Sequence, residues 1–325
     1  MYTPKVSIGL PVYNGEPFLC KTLDAILAQT YGNFELIICD NASTDATEEI
    51  CRRYVARDKR VSYYRQSHNV GATSNFNKVF QLSSGEYFKW AAHDDSIALD
   101  YLDRCVEVLD SDRSVVLCHS QVQIINERGE FLSDYNIRLH TDSHNPVKRF
   151  HDLLSHHLCY PIFGLIRAST LENTSLMGNY GHTDGVLLAS IALEGRFYEI
   201  PEPLFFSRNH PQQSMSMFFP EYLCLASGDD VSASKIPDYY AYAVWFDPAN
   251  QGQAILPHWR IFWEYCCCIW HSSISVREKI SCHLSMFKQL KGMEFLLLLD
   301  LTIVARQRLN AFIPSLRESD GKCKP

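Results

Sequence analysis

A doubly wound, mostly parallel α/β sheet with helices on both faces, followed by a helical C-terminal extension, is the architecture the sequence predicts. Three observations lead there. The first hundred residues alternate short β-rich apolar runs with stretches of helical period, the order from which parallel sheets are built. No internal repeat or low-complexity segment competes with that pattern. The 325 residues are 46% hydrophobic and 21% charged, a balance that supports a sizeable core and excludes a disordered, collagenous or coiled-coil chain.

The elements follow in order. Residues 6–10 are a short β-rich run ending at Pro11. Over 18–28, Phe18, Leu19, Leu23, Ile26 and Leu27 recur at helical spacing. Residues 34–39 are apolar apart from Glu35 and read as a second strand. Ser43-Thr44-Asp45 then opens a helix to about Arg57, with Glu48 placed as in a capping box. A strand at 61–64, a helix at 75–82 and a strand at 87–91 complete the alternation. Further on, the pattern predicts helices at 100–110, 146–154 and 183–193. It predicts one long or two short strands over 114–125, a turn at 126–129, and strands at 163–167, 197–200 and 204–207. Beyond Pro220 no period is clear until helices resume near Pro257, so an α/β domain over 1–225 and a mainly helical extension over 226–325 are expected.

A net charge of −7 argues against a nucleic-acid-coating protein. The 12 cysteines form no C-x-x-C pair and no zinc-spaced set, and several lie in apolar runs, as Cys39 and Cys118 do. With no basic-then-apolar leader at Met1–Lys5, the expected compartment is the cytoplasm. No run of about 20 uncharged apolar residues suits a spanning helix. From Arg277 onward, however, 9 Lys/Arg face 5 Asp/Glu. That basic, apolar-rich tail reads either as a peripheral contact with the inner face of an anionic membrane or as a packed appendage with a solvated basic face.

In such sheets ligands gather at the carboxyl ends of the strands. There is no G-x-G-x-x-G after the first strand and no P-loop, which removes the main support for a dinucleotide dehydrogenase or a P-loop NTPase. The first strand ends instead in Pro11-Val12-Tyr13-Asn14-Gly15-Glu16, where Tyr13 can stack on a base and Asn14 can donate and accept, or which is simply a turn. Asp40 ends the second strand, either as an acceptor for a base or ribose N–H or O–H or as a helix-entry residue. His93-Asp94-Asp95 follows the fourth. Adjacent carboxylates there suit Mg²⁺ or Mn²⁺ bridging phosphate oxygens, or they begin a solvated loop. Asp184, at the start of the 183–193 helix, is placed for a general base or merely for the helix dipole. Arg208-Asn209-His210 can meet phosphate or metal, or lie in a surface loop.

Together these residues resemble the family 2 glycosyltransferases, inverting enzymes of the GT-A fold. The matching segments are Val6–Asn14 with its P-x-Y-N turn, Phe34–Asp45, Asn69-Val70-Gly71 with Asn75, and Gly85–Asp95, within a resemblance covering about residues 4–215. The resemblance implies that Asp40 meets the nucleotide base, with Pro11, Tyr13, Asn14, Glu16 and Asn69 around the nucleotide. It implies that Asp94 meets ribose, that Asp95 is the direct metal ligand with His210 nearby, and that Asp184 activates the acceptor. Two positions depart from the family pattern: His93 stands where a D-x-D motif begins, and Thr183 precedes Asp184 where Glu is usual. The implied reaction is inverting, Mg²⁺- or Mn²⁺-dependent transfer of a sugar from a nucleotide-diphosphate sugar to a hydroxyl of a saccharide or lipid-linked acceptor, in surface polysaccharide or glycolipid assembly. The rival readings are a sugar nucleotidyltransferase, which normally carries a basic residue in a glycine-rich first loop, and a non-catalytic nucleotide-sugar-binding protein.

Overall fold

In the computed structural model, which describes residues 3–155, 157–218, 239–253, 255–290, 294–302 and 304–305, strand β1 (Val6–Val12) is buried along its whole length. Helix α1 (Leu19–Leu27), β2 (Phe34–Asp40), α2 (Thr47–Arg57), β3 (Val61–Arg65), α3 (Ala72–Gln81) and β4 (Tyr87–Trp90) follow it. β1 pairs in parallel with β2 and β4, and β2 with β3. The period-2 alternation of β2 sends Leu36 and Ile38 into one core and Ile37 and Cys39 into another. The first core is roofed by α1, α2 and α4 (Tyr101–Ser111). The second is roofed by α3 and α7 (Thr183–Glu194). Helices therefore cover both faces, as expected. α3 packs so closely that a Cβ on Gly9 would meet Val79 at 2.6 Å and Phe88 at 2.7 Å. Pro11 is tolerated in this central strand for a directional reason. Gly9 O accepts from Ala91 N on the β4 side and Val12 O accepts from Asn41 N on the β2 side, so the donor that Pro11 lacks would face the β4 side just past the end of β4.

The sheet is mixed rather than mostly parallel. Its order is β3-β2-β1-β4-β8-β6-β9-β5, with β7 (Phe131–Asp134) beside β6 (Val115–Ile125). β8 (Leu165–Arg167) runs antiparallel to both β4 and β6. β9 (Arg196–Arg208) is parallel to β6, and the two-residue β5 (Ser96–Ile97) is antiparallel to β9. The two strands expected around Pro201 and Pro203 are one. Register shifts between Ser120 and Gln121 and between Gln121 and Val122 let the β6–β9 ladder pass the prolines without asking them for donors. This continuity matters, because it delivers Arg208 to the end of β4.

Short helices α5 (Pro146–Leu153) and α6 (Ala168–Glu172) flank β8, and α8 (Ser214–Phe218) follows β9. The expected boundary at residue 225 lies outside the described residues. Helix α9 (Tyr239–Phe246), where no period was expected, precedes α10 (Pro257–His271), α11 (Val276–Leu290) and a helical stretch over 294–302. A third core joins α5, α7, α10 and α11 through Phe150, Leu193, Ile261, Tyr265, Ile269 and Met286. The C-terminal helices are thus packed against the sheet's own helices. All described cysteines are free thiols. No helix among the described residues is long and apolar enough to cross a membrane.

Candidate functional site

The carboxyl ends of β1, β2 and β4 open onto loops tied to one another. Asn14 takes a left-handed backbone (φ 52°). Its N–H donates to Ser43 Oγ at 2.9 Å, and its side-chain oxygen accepts from Thr44 N at 2.9 Å. Gly15 N donates to Thr47 Oγ1 at 2.8 Å. Glu16 N donates to Asp45 Oδ2 at 3.0 Å, while Ala46 N donates to Glu16 Oε2 at 3.2 Å. The acid that closes the start of α2 is therefore Glu16, brought from another loop. Glu48 falls within the first turn and pairs with Arg52 and Arg65 instead.

Asp40 lies one layer down. Its side chain is fully buried. Oδ1 accepts from Ser43 N at 2.8 Å, and Oδ2 accepts from Tyr63 Oη at 2.6 Å and Arg65 Nε at 3.3 Å. Burial and that bond to Asp40 push the Tyr63 phenol far up, so it stays a donor. Asn69 Oδ1 accepts from Asn41 Nδ2 and Gly71 N, both at 2.9 Å, and shapes the loop before α3. Pro11 is buried within β1. Tyr13, 45% exposed, is the residue of this group that offers a flat ring to solvent. Asp40, Asn14, Glu16 and Asn69 are thus all engaged in bonds that tie these loops together beside Tyr13.

Asp94 and Asp95 are both buried between β4 and β5. Asp95 Oδ1 accepts from Arg208 N at 2.9 Å. Thr22 Oγ1 donates to the carbonyls of His93 and Asp95 at 2.9 and 2.8 Å. Asp94 Oδ2 lies 2.8 Å from His210 Nε2. The Arg208 guanidinium donates to the carbonyls of Asp94, Asn126 and Glu127 at 2.8, 3.0 and 3.2 Å, crossing Phe18 on the way. Burial opposes charge on Asp94, but His93 and the bond from His210 outweigh it and hold that carboxyl low. Asp95 is pushed well up, first by burial and then by the charge of Asp94. The two adjacent buried carboxylates offer hard oxygens of the kind a divalent cation takes, with Lys89 and Arg208 as the positive charges already near Asp95. His210 Nδ1, buried without a partner among the described residues, is the ring nitrogen left to take part.

Asp184 opens α7, where its Oδ1 accepts from Gly185 N at 2.9 Å. Among the described residues, one group of three forms a potential metal-ligand set. The Cys159 thiol, a His182 ring nitrogen and an Asp184 oxygen all lie within 4.8 Å of one another. His182 is held left-handed (φ 63°), its ring over Gly185, where a side chain would collide with it, and its Nε2 3.1 Å from the Tyr265 hydroxyl. Burial pushes the Cys159 thiol well up, and Asp184 adds to this. The next residue, Tyr160, feels the charge of Asp95 and bonds Ser207 on β9. Cys159-Tyr160 thus runs from the Asp184 group to Phe205 and Ser207 of β9. His93, close against Gly15, joins Asp95 to the 13–16 loop.

Arg208, expected to meet phosphate or metal or to lie in a surface loop, is instead buried, and its guanidinium is taken up by the carbonyls of Asp94, Asn126 and Glu127. Two residues outside the expected site also shape it. Lys89, buried in β4, lies 4.8 Å from the Tyr101 ring and 5.4 Å from that of Phe205, and donates to Phe163 O. A lone lysine inside Tyr87-Phe88-Lys89-Trp90 was the available signal. Tyr265 carries no motif at all.

This is a GT-A-like α/β core with a curled, mixed sheet and C-terminal helices. The profile of Glycosyl transferase family 2 matches residues 7–174, more than half of the sequence, and the chain belongs to that family. An uncharacterized glycosyltransferase of Rickettsia typhi is 33% identical over 132 residues, 40% of each chain. Glycosyltransferase GlyA of Streptococcus pneumoniae is 38% identical over 99 residues, 30% of this chain and 14% of GlyA. The chain thus matches under half the length of these relatives. Among solved structures, S. aureus TarS 1-349 in complex with UDP-GlcNAc superposes with a TM-score of 0.62 at 15% identity, covering 93% of this chain and 81% of that one. Mannosyltransferase PcManGT from Pyrobaculum calidifontis, in complex with GDP-Man and Mn²⁺, gives 0.51 at 17% identity, covering 95% and 88%. At those identities the likeness is one of fold.

Proposed function

We propose that the protein is an inverting glycosyltransferase that moves a sugar from a nucleotide-diphosphate sugar to a hydroxyl of a saccharide or lipid-linked acceptor. The observation that carries this reading is the buried Asp94–Asp95 pair at the carboxyl edge of the sheet, held by Arg208 and His210 in a chain of this family. Tyr13 stacks on the base beside the loops that Asp40 and its neighbours tie together. Asp94, fixed by His210, orients the ribose side of the donor. Asp95 and His210 Nδ1 would hold Mg²⁺ or Mn²⁺, which supplies charge to a departing diphosphate. Asp184 takes the proton of the acceptor hydroxyl as it attacks the anomeric carbon from the face opposite the diphosphate. Activity at the inner face of the membrane and the division near residue 225 belong to the same reading.

The test is a thermal-shift panel of nucleotide sugars with and without Mn²⁺. One nucleotide sugar is expected to raise the unfolding temperature in the presence of the ion and much less in its absence. Equal response to all of them, or none to any, overturns the reading.

A further inference from the structure

Cys159, His182 and Asp184 offer a thiol, an imidazole nitrogen and a carboxylate oxygen, all within 4.8 Å of one another. A four-coordinate Zn²⁺, with bonds of about 2.3 Å to sulfur and about 2.0–2.2 Å to nitrogen and oxygen, sets its ligand atoms roughly 3.3–3.6 Å apart. Small side-chain rotations close that difference. All three residues are half-buried, sheltered but still reached by solvent. Cys159 stands just before the 3-10 turn Tyr160–Phe163, and Asp184 lies in the first turn of α7. His182 joins them through a left-handed backbone that residues with a side chain seldom take. Its ring lies over Gly185, where a Cβ would meet Nε2 at 2.3 Å, so the glycine makes the ring's room. The Tyr265 hydroxyl, 3.1 Å from Nε2, fixes the ring from α10. The thiol and the Asp184 carboxylate are hydrogen-bonded to each other.

The donor set selects the ion. A thiolate beside an imidazole suits Zn²⁺, and Co²⁺ as its visible substitute, and disfavours Mg²⁺ and Mn²⁺, which take oxygen ligands. The buried Asp94–Asp95 pair is the opposite case, with carboxylate oxygens as its main donors. The two groups therefore sort cations by softness. Three protein ligands leave one tetrahedral position open, which marks an exchangeable ion, whereas structural zinc is closed by four.

We propose that Cys159, His182 and Asp184 form a second cation site, for a borderline-soft ion of the Zn²⁺ class, and that its occupation switches sugar transfer off. As the ion binds, a sulfur–metal bond replaces the Cys159 S–H bond and the proton passes to solvent. Asp184 Oδ1 already accepts from Gly185 N, and a cation on the same carboxylate removes the basicity that an acceptor hydroxyl needs. The site stands on its geometry and donor chemistry. The switching rests on the proposed role of Asp184 as the acceptor's base.

The experiment is a titration of the full chain with Co²⁺, followed by absorbance. A near-ultraviolet sulfur-to-cobalt charge-transfer band is expected, saturating at about one ion per chain, displaced by Zn²⁺ and not by excess Mn²⁺. The band reports a thiolate ligand, so Co²⁺ on Asp94 and Asp95 does not mimic it. It should vanish in Cys159→Ser. His182→Asn removes the ring and tolerates the left-handed backbone, and should weaken binding at least about tenfold. Unchanged thermal unfolding without metal shows that both variants are folded. No sulfur band in the wild type, a band that survives Cys159→Ser or yields to Mn²⁺, or an affinity that His182→Asn leaves alone overturns the site. For the switch, one equivalent of Zn²⁺ should stop transfer in the presence of Mn²⁺ while donor affinity by isothermal titration is kept. Full turnover of the zinc-loaded chain overturns the switch. The absorbance reads no sugar transfer, so the site and the transferase reading fail separately.

Discussion

Tyr265 of helix α10 places its hydroxyl 3.1 Å from Nε2 of His182, two residues before Asp184. The C-terminal helices are thereby built into the environment of the proposed base. His182 sits in a left-handed conformation that costs about 1–3 kcal/mol and must be over-determined by its surroundings. Tyr265→Phe removes one of those determinants. The expected result is about a tenfold fall in kcat with donor affinity unchanged, and a stability loss of about 1 kcal/mol. Isothermal titration with the nucleotide and steady-state kinetics separate the two. A fall in donor affinity equal to the fall in kcat would show that Tyr265 serves the donor site instead.

Asp184→Asn keeps the shape of the first turn of α7 and removes the basic oxygen. General-base assistance is worth about 10²–10⁴-fold, so turnover should fall by that factor while nucleotide binding stays near the wild-type level. Full turnover in the variant would move the base elsewhere.

The N-terminal half was legible because its strands and helices bury opposite faces of one sheet, so their periods differ cleanly. Strand direction was not. β8 reads as an apolar run whichever way it points, and only its pairing with β4 and β6 makes the sheet mixed. β5 was hidden because two buried acids precede a two-residue strand. α9 was missed because Tyr239–Phe246 is aromatic or apolar on every side and shows no period. In the site, residues at strand ends could be found from motif and position. Lys89 and Tyr265 could not, because each acts from inside an element, where packing and not spacing determines what it meets.

Asp94 and His210 are a buried pair, 2.8 Å apart and 116 positions distant in sequence. Removing one member of such a pair leaves an uncompensated carboxylate and costs about 3–5 kcal/mol, while removing both costs much less. His210→Ala should therefore be severely destabilised in urea unfolding, and Asp94→Asn/His210→Ala should recover much of the loss. Additive costs in this double-mutant cycle would show that the two are not coupled.

Lys89 gives the fold a pH signature at the alkaline end. Burial pushes its ammonium down to about 8 from an ordinary 10.5, against smaller upward pulls from Cys105 and Asp95. Below about pH 8 the lysine is charged in both the folded and the unfolded chain, and the folded state bears the cost of a buried cation. Between about 8 and 10.5 the unfolded chain binds the extra proton, so stability rises with pH through that window. Lys89→Met lacks this rise. Urea unfolding of both proteins at a series of pH values should show the wild type gaining on the variant by about 1–3 kcal/mol across the window, the single-group scale set by the proton linkage. Parallel curves would mean that Lys89 remains protonated within the fold, held by the Tyr101 and Phe205 rings and the Phe163 carbonyl.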